Sequence, residues 1–167
     1  MQDTLPIHFA PLQGYTEAIY RNAHDAFFGG VDTYYTPFVR LEKGNFRRRD
    51  VRGIEPENNG VPHLIPQLIA SSAEKAEVIL SLFIEKGYQE VDINLGCPFP
   101  LLAKRHNGSG ILPYPEEVKA LLSIVTRYPQ ISFSVKMRLG WEQPDECLAL
   151  APILNDLPLR QITMHPR

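Results

Sequence analysis

Glu90-Val-Asp-Ile-Asn-Leu-Gly-Cys-Pro-Phe-Pro100 decides how this chain is read. It reads as a short buried strand over residues 90–95 that ends in a tight Gly-Cys-Pro turn. In a parallel α/β sheet, chemistry collects at the carboxyl ends of strands, so Asp92, Asn94 and Cys97 are expected together on one rim. A partly exposed cysteine backed by a turn can serve as a thiol acid or nucleophile. It can equally be a small apolar filler, since free cysteine is among the most buried residue types. The local string leaves both readings open.

Working outward, strands alternate with helices. Strands are predicted at residues 7–12, 32–39, 64–69, 90–95, 131–137 and 161–165. Helices are predicted at 16–28, 72–86, 115–127 and 144–154. Thr16 suits the N-cap of the first helix, which carries Ile19, Ala23 and Phe27 on one face. Ser71 or Ser72 caps the second, Glu74 lies in its first turn, and Gly87 stops it. Six strands separated by helices imply right-handed βαβ units and a parallel sheet, an α/β fold in one domain over residues 1–167. The segment 40–61 is a long polar loop with at most a short helical turn, a length that is usually functional or disordered. Neither an internal repeat nor a low-complexity tract is evident.

Composition narrows the partners. The chain has 167 residues, 44% hydrophobic, and a net charge of −2. That is about one domain with enough apolar content for a core, and nothing in the balance demands a nucleic-acid or membrane partner. No run approaches the roughly 18 apolar residues of a membrane span. The start, Met1-Gln-Asp-Thr-Leu-Pro6, lacks the basic-then-apolar order of a signal peptide. Cys97 and Cys147 have no metal-type spacing, and no metal site is expected. Cys147 lies in an apolar helical stretch and reads as core. With no disulfide expected, a reducing cytoplasm fits.

Five polar groups able to hydrogen-bond a planar ring fall at or near strand ends: Gln67, Asn94, Lys136, Arg138 and His165. Each alone is weak, because a strand-end glutamine is usually a satisfied hydrogen bonder and a lone histidine is usually core or surface. Five on one rim beside a cysteine favour a site.

With those residues in place, the chain resembles the tRNA-dihydrouridine synthases, flavin enzymes built on a TIM barrel. The carriers are Ala10-Pro-Leu-Gln-Gly-Tyr-Thr16, Pro66-Gln-Leu-Ile69, Asp92-Ile-Asn-Leu-Gly-Cys-Pro98, Val135-Lys-Met-Arg-Leu-Gly-Trp141 and Ile162-Thr-Met-His165. The motifs of the fourth and fifth strands, in that order and spacing, are the specific ones. Dihydroorotate dehydrogenase, another flavin barrel, also has a Cys-Pro after an Asn-containing strand. The Lys-Met-Arg-Leu-Gly-Trp string fits it poorly, and it is the runner-up.

The resemblance implies FMN across the carboxyl-terminal mouth of the barrel, reduced by NADPH. Hydride then goes to C6 of a uracil flipped out of tRNA, and Cys97 gives the proton to C5. General acid work needs a proton at neutral pH, which an ordinary thiol keeps. Pro11 and Leu12 would approach the flavin through backbone. Gln67 and Lys136 would bind the pyrimidine side of its ring, where a cation stabilises the reduced anion. His165 would lie over the ribityl and phosphate side, and Asn94 and Arg138 would touch flavin or base. Unstacking the base costs a few kcal/mol that binding must offset.

Two basic segments remain. Lys104-Arg-His-Asn-Gly-Ser-Gly110 lacks the signatures of a P-loop or a dinucleotide fingerprint. By the resemblance it flanks the substrate, with Lys104 and Arg105 toward RNA phosphates. Lys43-Gly-Asn-Phe-Arg-Arg-Arg-Asp50, with Arg52, reads equally as a phosphate contact or as a solvated loop neutralised by Asp50, Glu55 and Glu57.

The chain departs from the family at its end. A complete (β/α)8 barrel takes about 250 residues and places its phosphate site after strands seven and eight. Here the sixth strand is the last, so the expectation is an incomplete TIM barrel, truncated before strands 7 and 8. Two βα units, the phosphate grip and the family's C-terminal helical tRNA-binding domain would be absent, and strands one and six would show open edges and apolar faces. Either the chain is a fragment of a longer protein, the favoured reading, or the half-open barrel is completed by another copy, and two hypotheses of different class follow. The parent is a flavin-dependent oxidoreductase, while the 167-residue chain alone is an inactive scaffold without stable FMN.

Overall fold

The computed structural model describes residues 5–166. The chain divides into two compact units, Met1–Gln67 and Leu68–Arg167. Among the described residues no helix is long and apolar enough to cross a membrane.

The first unit starts with β1 (His8–Phe9), α1 (Ala18–Phe27) and β2 (Thr33–Tyr35). The segment that follows contains β3 (Leu41–Glu42), β4 (Asn45–Phe46), α2 (Arg48–Ile54) and a 3-10 turn at Pro56–Asn58. β5 (Leu64–Ile65) then pairs in parallel with β2, which pairs in parallel with β1. The predicted strands are present but shortened, and proline accounts for it. Pro11, Pro37 and Pro66 follow β1, β2 and β5 closely, and each lacks the N–H that a ladder requires. Pro66 divides the third predicted strand in two; its second half is β6 (Gln67–Leu68).

Two expectations for this unit are corrected. Thr16 does not cap α1: Glu17 occupies the N-cap position without a side-chain bond. The Thr16 hydroxyl instead accepts from Leu12 N at 2.8 Å and closes the turn after β1. The segment 40–61 is also far from structureless. β3 and β4 form an antiparallel hairpin whose tip, Lys43-Gly44, has φ of 51° and 79°, the left-handed pair that a two-residue hairpin turn demands. The Ile19–Ala23–Phe27 stripe of α1 exists but faces outward, with Ile19 84% and Phe27 85% exposed. The helix buries Ala18 and Arg21. The Arg21 guanidinium donates to Thr16 O at 2.6 Å, Gly53 O at 2.8 Å and Asn59 Oδ1 at 2.5 Å, so a polar lash holds this face of α1.

The second unit carries a sheet in the order β6, β7 (Glu90–Leu95), β8 (Ser132–Arg138), β9 (Gln161–His165), in which β7–β8 and β8–β9 pair in parallel. Its connecting helices are α3 (Ala73–Glu85), the short α4 (Pro100–Ala103), α5 (Pro115–Arg127) and α6 (Glu146–Asn155). α3 starts where Ser72 Oγ accepts from Lys75 N. It stops at Gly87, with φ of 84°. Gly87 N bonds Ile84 O and Tyr88 N bonds Phe83 O, the paired pattern that satisfies a helix's last carbonyls. α5 begins with Pro115 at its first position, carries Glu116 and Glu117 in the first turn and Arg127 in the last, matching the helix dipole at both ends.

One face of the sheet is apolar. Val91, Ile93 and Leu95 of β7 and Phe133, Val135 and Met137 of β8 are fully buried, each contributing about 1.5–3 kcal/mol. α3 packs on α5, with Ile79, Leu80 and Phe83 of one and Leu121, Leu122 and Val125 of the other buried. Cys147 is half-buried rather than core. It sits in the first turn of α6, where its thiol donates to Pro144 O at 3.4 Å.

Candidate active site

Residues opposite one another in a parallel ladder point to the same face, and that face repeats every second residue. The register pairs Asp92 with Ser134 and Ser134 with Gln161, then Asn94 with Lys136 and Lys136 with Thr163, and finally Arg138 with His165. The sheet therefore carries three polar rows opposite its apolar side. Asn94, Lys136, Arg138 and His165, all named from the sequence, fall in the upper two rows.

Asp92 does not reach the rim. It lies in the lowest row, 2% exposed, and accepts from Ser134 Oγ at 2.6 Å. In the middle row, burial of Lys136 lowers its pKa below the ordinary lysine value; the Asp92 carboxylate opposes that, and Arg138 adds to it. A half-buried ammonium is thus kept close to a buried anion, a donor set suited to a planar, electron-accepting ring edge. His165 stands exposed at the end of β9.

Beyond β7 the chain turns at Gly96-Cys97-Pro98. Asn94 Oδ1 accepts from Gly96 N at 3.0 Å and from Cys97 N at 2.9 Å. Arg138 Nε donates to Gly96 O at 2.8 Å. Two side chains placed by the sequence at the ring or base thus also shape the turn that presents the cysteine. The thiol of Cys97 is free and half-buried, which excludes the filler reading of a fully buried core residue.

The segment after the turn folds back on it. Ser109, fully buried, donates to Cys97 O from its N and its Oγ, both at 3.0 Å. Gly108, with φ of 61°, lies so close that an added Cβ would be 2.6 Å from Cys97 O and 2.8 Å from Cys97 Cβ. On the far side, His106 Nδ1 lies 2.7 Å from Glu117 Oε2, and its ring stacks on Tyr114 at 4.1 Å. Lys104 and Arg105 are exposed beyond α4. Ser109 and Ser134 were not singled out from the sequence. Ser134 had a signal, since it stands two residues before Lys136 on the same strand. Ser109 had none, because its role rests on a contact twelve residues away.

The remaining candidates belong to the first unit. Pro11 is half-buried and Leu12 exposed, with Leu12 O accepting from Tyr15 N and Thr16 N. Gln67 is buried; its N donates to Thr36 Oγ1 at 3.0 Å and its O accepts from Val39 N at 2.8 Å. In the basic segment Asp50 is buried beside Arg47 and Arg49. Burial raises its pKa although Arg47, Arg49 and Arg40 all pull it down. Lys43, Arg48 and Arg52 are exposed. Among the described residues no group of three or more His, Cys, Asp or Glu is placed to hold a metal ion.

Comparison with known proteins fits this geometry. The family model described as dihydrouridine synthase matches residues 8–167, which selects the first of the two flavin-barrel families with similar motifs. A Haemophilus ducreyi protein named tRNA-dihydrouridine(16) synthase is 28% identical over 178 residues, covering 96% of this chain and 52% of the relative. A Synechocystis protein named probable tRNA-dihydrouridine synthase 1 is 28% identical over 165 residues, 95% of this chain and 44% of the relative. A Vibrio cholerae protein named tRNA-dihydrouridine synthase B is 31% identical over 103 residues, 61% of this chain and 30% of the relative. The chain spans about half, or less, of the length of these relatives.

Proposed function

The chain belongs to the dihydrouridine synthase family, and on that premise we propose that it carries the cysteine-bearing part of an active site that reduces uridine to 5,6-dihydrouridine in tRNA. The observation that carries this reading is the polar face of β7, β8 and β9 ending at the Cys97 turn. On this reading the parallel strands belong to a (β/α)8 barrel, a fold whose sites lie at the carboxyl ends of its strands.

FMN is the group these residues would hold, and the donor set suits it. Lys136 would meet the pyrimidine edge of the ring together with Gln67. Pro11 and Leu12 would line the ring by backbone, and His165 would take the ribityl–phosphate side. When bound, FMN supplies a hydride, originally from NADPH, to C6 of the uracil. The protein's own step is the proton. As the C5=C6 double bond is saturated, Cys97 Sγ–H gives H⁺ to C5 and is left as thiolate. Asn94 and Arg138 would orient the base, and Lys104 and Arg105 would meet phosphates flanking it, contacts that fix position without reading sequence. A cytoplasmic location accompanies this reading.

Cys97→Ala in the full-length protein is the test. FMN absorbance is expected to persist while uridine reduction falls roughly 10²–10⁴-fold, the usual worth of a positioned general acid. Undiminished turnover would remove Cys97 from the role.

A further inference from the structure

The peptide N–H and C=O groups of Gly96 and Cys97 are all held by other groups of the second unit, and none of these bonds uses the sulfur. Asn94 Oδ1 takes the N–H groups of Gly96 and Cys97. Arg138 Nε holds Gly96 O. Pro98 follows and biases Cys97 toward extended backbone. The last group, Cys97 O, receives two donors from one residue, the N–H and the hydroxyl of Ser109. With the backbone fixed on both sides, the direction of the thiol is reduced to one side-chain torsion.

We propose that Ser109 is a positioning residue for Cys97, and that the His106–Gly110 segment is a backstop that sets where the thiol points. This rests on the proposed proton-donor role of Cys97 for its consequence in catalysis, while the effect on the thiol itself stands alone. Three features support a built device rather than a passing contact. Ser109 is fully buried, so its hydroxyl is spent on Cys97 O rather than on solvent. Gly108 and Gly110 allow the approach: a Cβ on Gly108 would sit 2.6 Å from Cys97 O, and one on Gly110 would overlap the backbone of Ala103. The segment is also fastened behind, through His106 to Glu117 of α5 and through the His106–Tyr114 stack. Lys104 and Arg105, immediately before it, are exposed. A polyanion gripped there would press on the same segment, which links substrate contact to thiol direction.

The test is the rate of alkylation of Cys97 by iodoacetamide across pH in the purified full-length protein, resolved by peptide mass spectrometry. Cys147 serves as internal reference, and kcat and KM for tRNA are measured alongside. Ser109→Ala is expected to change the Cys97 rate about three- to tenfold, the worth of one hydrogen bond, and to move its pH midpoint. Cys147 should be unaffected, and kcat should fall with KM unchanged. Ser109→Thr keeps the hydroxyl and is expected to restore the midpoint. Gly108→Ala, which pushes on the same carbonyl, is expected to disturb Cys97 as Ser109→Ala does. A wild-type rate and midpoint in either folded variant overturn the proposal; where one variant does not fold, the other decides. Turnover of Cys97→Ala separates the two readings, since its persistence would end the proton-donor role without touching the alkylation result.

Discussion

Burial and the Asp92 carboxylate act in opposite directions on the Lys136 proton. Burial favours the neutral amine, and the Asp92 carboxylate, which accepts from the Ser134 hydroxyl at 2.6 Å, favours the ammonium. Burial wins in part, and Lys136 titrates below its usual 10.5. Between that folded pKa and 10.5 the unfolded chain holds a proton that the folded chain has released, so Lys136 makes stability rise with pH across that window. Asp92→Asn removes the opposing anion. The pKa of Lys136 is then expected to fall further and the window to extend to lower pH, read directly by NMR titration of isotopically labelled lysine side chains without any cofactor present. A Lys136 titration unchanged in Asp92→Asn would mean that the two groups are not coupled. The same experiment bears on function, because a lysine that sheds its proton too readily would not stabilise an anionic ring edge.

Elements that form from their own residues were legible in the sequence, and elements made by distant contacts were not. β7, α5 and β9 match the predicted bounds because alternation, a leading proline and flanking turns are local signals. β1 and β2 shrink because ladder pairing stops at prolines whose effect depends on the neighbouring strand. The hairpin at Lys43-Gly44 was missed because its strands have only two residues each. Asn94, Cys97, Lys136, Arg138 and His165 could be placed at or near strand ends by position alone, whereas the depth of Asp92 needed the register and the contact of Ser109 with Cys97 O needed the folded loop. The loop after β8 shows what such distant contacts do. Glu146, in the first turn of α6, accepts from the N–H groups of Trp141, Glu142 and Gln143 at 2.7, 3.0 and 2.9 Å. Gathering those amides fixes the exit of the strand that carries Lys136 and Arg138. Glu146→Ala should cost about 2 kcal/mol, the range for hydrogen bonds to a charged group, and raise amide exchange at residues 141–143 well before β8 itself. Protection unchanged at those amides would show that the loop holds itself.

At the scale of the molecule the question is where apolar surface goes unburied. In the first unit the outward stripe of α1 includes Ile19 and Phe27, and Phe28 beyond its end is 80% exposed. In the second unit Leu148 is 70% exposed, and Ile162 and Met164 of the last strand in the sheet are 40% and 41% exposed. A single exposed leucine needs no explanation, but contiguous apolar faces mark surfaces that a folded protein normally covers. α1 is a clear case because its inward side is already occupied by Arg21 and the three acceptors it binds, so rotating the helix to bury the stripe would strand a guanidinium and its partners at a cost of several kcal/mol. The stripe is therefore fixed outward and can be relieved only by another surface. The 167-residue chain alone is expected to self-associate as concentration rises, with its mass by light scattering drifting upward. Ile19→Glu combined with Phe27→Glu should restore a concentration-independent mass, and the helical circular dichroism should be unchanged, since neither side chain contributes to the buried face. A wild-type chain that holds one mass over the whole concentration range would refute the argument. So would a double variant that loses helix, because α1 would then depend on the very stripe the structure turns to solvent.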